Sequence, residues 1–195
     1  PHSHADIGLA SYGTSVRFDA AQLRELMSDA LSYGKSLAES LFLTPPRPHD
    51  AAAAALDLID ARSSVLQHKG RHIAMWRWGS REAPAVLLAH GWGGHAAQLR
   101  AFVFPLVSAG WRVIAYDQPA HGVSEGRLTG LPDFADVLAE VAWHHGDVQA
   151  VIGHSLGATA AALAHAQKKA EVRKMVLISP PCGLLGYLRP FARWH

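Results

Sequence analysis

The spacing of apolar positions divides the chain into an irregular opening, helical stretches and short apolar runs. Residues 1–16 mix Gly, Ser, His and Thr without a period and read as a leader. Over 19–43, Leu23, Leu26, Met27, Ala30, Leu31, Leu37, Leu41 and Phe42 recur near every 3.6 residues, which predicts an amphipathic helix with Asp19 as its N-cap. Thr44-Pro45-Pro46-Arg47-Pro48 stops it, because proline removes donors and pushes the preceding residue out of helical backbone. Asp50 and the alanine run Ala51–Ala55 predict a second, short helix reaching Ile59.

After residue 62 the pattern changes. Ser64–His68 and His72–Trp78 flank Lys69-Gly70-Arg71 and predict a β-hairpin. Four apolar runs without polar alternation follow, at 85–89, 112–116, 148–152 and 174–178, as strands covered on both faces require. Helical patterns separate them, at 95–108 (Leu99, Phe102, Val103, Leu106, Val107), 133–145 (Phe134, Val137, Leu138, Val141, Ala142) and 156–168. This alternation predicts an α/β fold: a doubly wound, mostly parallel sheet with right-handed crossovers, preceded by a hairpin and a helical extension. The expected organisation is an extension over 1–62, a core over 63–180 and the start of an apolar cap over 181–195.

Composition narrows the function classes. Of 195 residues, 49% are hydrophobic and 17% charged, which excludes a disordered chain. The charge sum, 18 − 16 = +2, comes with no run of basic residues, so nucleic acid is not an expected partner. The single cysteine, Cys182, excludes an internal disulfide and zinc sites built on paired cysteines. Thirteen histidines raise metal binding, but no HExxH spacing occurs, and neither a metal nor a cofactor is expected. No apolar stretch is long enough to span a membrane. The first six residues show no signal-peptide pattern, so a cytoplasmic setting is expected.

Candidate chemistry lies in the turns after the apolar runs. Gly153-His154-Ser155-Leu156-Gly157 joins a buried strand to an alanine-rich helix. In that context G-x-S-x-G forms a strained elbow that lifts a serine hydroxyl above the carboxyl edge of the sheet. Ser155 is the candidate nucleophile. The Leu156 N–H, at the first helical turn, is a candidate oxyanion donor. His90-Gly91-Trp92-Gly93-Gly94 follows the first buried run, and Trp92 N–H is the second candidate donor. Taken alone, that loop reads more readily as a glycine-rich connection that binds no anion. Asp117, in Asp117–Ser124, reads as a turn-forming aspartate, with a triad acid as the alternative.

In this order and spacing, the three motifs resemble the α/β-hydrolase superfamily, in particular its esterase, lipase and acylglycerol-lipase-like members. The resemblance covers roughly residues 63–180. It implies a serine hydrolase that cleaves a small-molecule carboxylic ester through an acyl-enzyme on Ser155, with Trp92 and Leu156 amides as the oxyanion hole; the tryptophans and the apolar start of the cap suggest an apolar acyl or alcohol part. Alternatives are an acyltransferase, thioesterase or peptidase using the same apparatus, or a relative that binds a ligand without catalysis. Family order places an acid and then a histidine after the serine. Here Ser155 is followed by one acid, Glu171, and two histidines, His165 and His195. None suits the role, so the catalytic histidine and acid are expected outside this chain, with the last strands of the fold missing or in another chain. His121 and His195 are the fallback bases.

Overall fold

The structure, a computed structural model, describes residues 5–6, 17–18, 20–47, 55, 58 and 60–181. It divides into two units, Pro1–Leu43 and Thr44–His195. In the first, strands β1 (Ala5–Asp6) and β2 (Arg17–Phe18) pair antiparallel, so part of the expected leader is paired backbone. Helix α1 (Ala20–Leu43) fills the predicted span and ends before Pro45-Pro46. The predicted cap Asp19, the cap segment 182–195 and all of the predicted 51–59 helix except residues 55 and 58 lie outside the described residues.

The second unit holds a six-stranded mixed sheet. In chain order its elements are β3 (Arg62–His68), β4 (Arg71–Trp78), β5 (Ala85–Ala89), α2 (Val103–Ser108), β6 (Arg112–Tyr116), α3 (Leu131–His145), β7 (Val148–His154), α4 (Leu156–Ala166) and β8 (Lys174–Ile178). The strand order is β3-β4-β6-β5-β7-β8. The hairpin β3–β4 joins antiparallel to β6, while β6, β5, β7 and β8 run parallel. Strand β7 is two residues longer than predicted, because Gly153 and His154 also pair, with Leu177 and Ile178.

All five residues of β5 and of β6 are buried, for the reason the unbroken apolar runs imply: both sheet faces are covered. Alternate side chains feed two cores. Leu87 and Ala89 join Tyr116, Phe134, Val137 and Leu138 beneath α3 and α4. Val86 and Leu88 join Trp76, Trp78, Val113 and Leu99 on the other face, with Leu58. Strand β8, the outermost of the parallel set, differs: Val176 is 51% and Leu177 39% exposed.

The single helix predicted over 95–108 is instead a 3₁₀ helix, Ala96–Phe102, followed by α2. Pro105 explains the break. It has no N–H to give to Ala101, so an α-helix cannot run through it unbroken. As the third residue of α2 it sits in a first turn, where N–H groups have no helical acceptor anyway.

Leu87, on the central strand and fully buried, provides a test of this core. Leu87→Ala is expected to lower the unfolding free energy by about 3 kcal/mol, the usual cost of such a cavity, as read from denaturant titration.

Candidate active site

Strand register brings the three motifs to one edge. Ala89 is level with Tyr116 on β6 and Gly153 on β7. The loops leaving these strands therefore start side by side at the carboxyl edge, where open α/β sheets bind ligands.

Ser155 occupies the turn between β7 and α4 with φ 51° and ψ −121°. A residue with a Cβ avoids this backbone, at a cost of roughly 1–3 kcal/mol. Neighbouring groups hold it there. Its N–H donates to Ile178 O at 2.9 Å, and its carbonyl accepts from the N–H groups of Ala158 and Thr159 at 3.0 and 3.2 Å. Close packing completes the turn. A Cβ on Gly153 would lie 2.6 Å from Ala158 Cα, and one on Gly157 would run into the Ala89 and His90 carbonyls.

The loop after β5 lies directly against this turn. A Cβ on Gly91 would stand 2.9 Å from Ser155 Cβ and 3.1 Å from His154 O. The Trp92 N–H thus belongs to backbone packed on the serine. Neither it nor the Leu156 N–H has an acceptor among the described residues. Leu156 opens α4, so the helix dipole adds positive potential there.

Two buried histidines fix that loop. His90 Nε2 accepts from Gln118 N–H at 2.9 Å, and its Nδ1 donates to Gly91 O at 2.8 Å. His121 Nε2 accepts from Gly93 N–H at 2.9 Å, and its Nδ1 donates to Pro119 O at 2.9 Å. Each partner set permits one neutral tautomer only. Burial pushes His90 down to about 3, with His121 the next cause; burial likewise pushes His121 to about 4. Their rings pack together at 5.4 Å, and Trp92 meets His121 edge-on at 5.3 Å and stacks on Phe134 at 6.3 Å.

Asp117 ties in the next loop. Its Oδ1 accepts from Ala96 N–H at 2.7 Å and its Oδ2 from Val123 N–H at 2.8 Å. Burial raises its pKa, and these two donors oppose the rise. The turn-forming role expected of Asp117 is the one its geometry displays. Arg47 closes the far side of the same loop by donating to the carbonyls of Ala120, Ser124 and Gly126 at 2.8–3.1 Å.

The structure also sorts the candidate bases. His121 is fully buried with both ring nitrogens engaged, so this fallback base is a scaffold residue instead. His165 lies ten residues into α4, about 15 Å along the axis from the serine. Glu171 precedes β8, at the opposite edge of the sheet. His195 lies outside the described residues. Among the described residues no three His, Cys, Asp or Glu side chains converge to hold a metal ion, and no helix is long and apolar enough to cross a membrane. Sequence reasoning missed the histidine scaffold and the Arg47 clamp. The signal for the first was a histidine in each of two neighbouring glycine-containing loops; the second had none.

Residues 84–195, more than half of the chain, match the family described as alpha/beta hydrolase fold. The chain is 29% identical over 122 residues to human "serine hydrolase-like protein", covering 58% of this chain and 58% of that one. It is 29% identical over 121 residues to human monoglyceride lipase, covering 57% and 40%. It is 36% identical over 110 residues to a bifunctional esterase/perhydrolase of Acinetobacter calcoaceticus, covering 53% and 40%. The chain thus spans about half the length, or less, of these curated relatives. Among solved structures, a thioesterase domain from the curacin biosynthetic pathway superposes with TM-score 0.58 at 24% identity, covering 68% of this chain and 52% of that one, a likeness of fold.

The histidine scaffold makes stability depend on pH in a defined sense. Unfolded, His90 and His121 take up a proton near 6.5; folded, they resist protonation down to about 3 and 4. The unfolded state therefore binds more protons below pH 6.5. Stability is full above that pH and is lost as pH falls toward 4, at about 1.4 kcal/mol per pH unit for each histidine. Half-buried His145, pushed to about 4 chiefly by burial, acts in the same direction. Denaturant midpoints measured from pH 7 to 4.5 are expected to fall steeply. His121→Gln, which keeps an acceptor for Gly93 but does not titrate, is expected to flatten the slope.

Proposed function

The chain belongs to the α/β-hydrolase fold family, and on that premise we propose that it is a serine hydrolase cleaving small, apolar carboxylic esters through an acyl-enzyme on Ser155. The observation that carries the reading is the strained backbone of Ser155, with the Gly91–Gly93 loop packed on its Cβ. A nucleophile held this way points its hydroxyl out of the turn, next to two N–H groups without acceptors.

The chemistry runs in two halves. Ser155 Oγ attacks the ester carbonyl carbon and gives its proton to a base. The oxygen that becomes negative sits between the Trp92 and Leu156 N–H groups. Because these donors are already in place, no solvent has to reorganise as charge develops. Collapse expels the alcohol, which takes up the proton. Water then attacks the acyl-serine by the same route and releases the acid. We place the base and its orienting acid outside the described residues, since His90 and His121 are committed to backbone partners and His165 lies too far along α4. The ester assignment is supported by the relatives named as monoglyceride lipase and esterase/perhydrolase.

A fluorophosphonate probe is expected to label the protein, and Ser155→Ala to abolish labelling and lower ester turnover by about 10⁴-fold or more. Labelling that survives the substitution would overturn the assignment. Gly91→Ala, which drives a methyl group toward Ser155 Cβ, is expected to cut kcat/KM about 100-fold while the fold stays intact, the scale of one lost oxyanion donor. p-Nitrophenyl esters are expected to turn over faster than the matching anilides, because amide cleavage demands a well-placed acid for a poor leaving group.

A further inference from the structure

At the amino edge of the sheet, opposite Ser155, the topology gathers cations that are scattered in sequence. Arg62 opens β3 and pairs in register with Arg77 near the end of β4. Arg81 lies in the β4–β5 connection, Arg112 opens β6, and His144 and His145 end α3. Together with hydroxyls of β3 they line a cavity of about 250 Å³.

Arg112 anchors the group. It is 5% exposed. Its Nη1 donates to Arg81 O at 2.9 Å and its Nη2 to His145 O at 3.1 Å. Its Nε–H is buried and has no acceptor, and neither does the buried Nε2 of His145. The side chains of Arg62, Arg77 and Arg81 make no hydrogen bond or ion pair among the described residues. Two carboxylates lie near enough to act on Arg112. Glu82 is fully exposed and bonded to Ser80, and Asp147 is bonded to Gln149. Burial lowers the Arg112 pKa first, and the charges of Arg77 and Arg81 lower it further. A buried guanidinium is ordinarily matched by a counter-charge. Here it is surrounded by three more positive charges around one cavity.

We propose that this cavity binds the phosphate of a small phosphomonoester. A carboxylate brings one charge. A phosphomonoester brings nearly two, on three strongly accepting oxygens, and so matches guanidinium groups converging from several elements. The volume falls below the roughly 300–1,000 Å³ of sites that engulf a whole ligand, so the phosphoryl group is seated and the rest of the molecule projects outward. The site is independent of Ser155, which lies at the opposite sheet edge.

The test is calorimetric titration of the full chain with inorganic phosphate and with glycerol phosphate, at ionic strength matched with chloride. Saturable binding is expected, weakened at least tenfold in the double variant Arg77→Gln/Arg81→Gln. Among the described residues these side chains make no hydrogen bond or ion pair, and their charges disfavour the buried Arg112 charge, so the unfolding midpoint without ligand is not expected to fall. Ser155→Ala is expected to bind phosphate unchanged, which separates this site from the hydrolase assignment. Phosphate binding is also expected to raise the His145 pKa, followed by the NMR shift of its ring protons. Co-sedimentation with phosphatidic acid vesicles, against phosphatidylcholine alone, would assign the phosphate to a lipid headgroup; binding without co-sedimentation would assign it to a soluble molecule. No saturable phosphate binding above chloride, or equal binding by the double variant, overturns the proposal.

Discussion

The carboxyl edge of this sheet depends on keeping two histidines uncharged. His90 and His121 each take a backbone N–H on Nε2 and give Nδ1–H to a carbonyl. In this way the loop after β5 is stitched to the loop after β6 through side chains rather than through a strand. A proton on either ring would set a donor against a donor at a buried site. The Gly91–Gly93 backbone, and with it the Trp92 N–H, is positioned only as firmly as those four bonds hold. Asp117 does the same work with a carboxylate, reaching one N–H at the start of the 3₁₀ helix and another in its own loop. The result is an edge whose loops are fixed without glycine-free rigidity of their own.

Much of this arrangement was legible in the sequence, for local reasons. The runs at 85–89 and 112–116 are strands over those same residues, because a strand covered on both faces has to be largely apolar; the run at 174–178 is a strand as well, though Val176 and Leu177 are exposed. The G-x-S-x-G segment announced its turn because only glycine lets β7, α4 and the end of β5 approach so closely. The 95–108 helix was misread because apolar spacing continues smoothly through Pro105, while the missing N–H breaks the ladder. Spacing registers side chains and is blind to a backbone donor.

What the sequence could not display was long-range assembly. Arg47 clamps carbonyls more than seventy residues away, and nothing near it in the chain hints at that. The arginines at 62, 77, 81 and 112 look like isolated surface charges along the chain. They meet because β3 and β4 form a hairpin and β4 runs antiparallel to β6, which turns the ends of one pair and the start of the other to the same edge. A net charge of +2 hides such a focus, since acids elsewhere enter the same sum, as with Asp136 between Lys69 and Lys169.

The bond from Ser155 N–H to Ile178 O carries a mechanical meaning. Strand β8 is the outermost described strand, and its Val176 and Leu177 are open to whatever packs there. Its last carbonyl nevertheless reaches the most strained peptide of the elbow. Strand β8 pairs with β7 from Ala150 to His154, and the Ile178 carbonyl carries that ladder one rung further, onto the Ser155 N–H. The strained turn at the centre of the sheet is thus braced from its margin, by the last carbonyl of an outer strand.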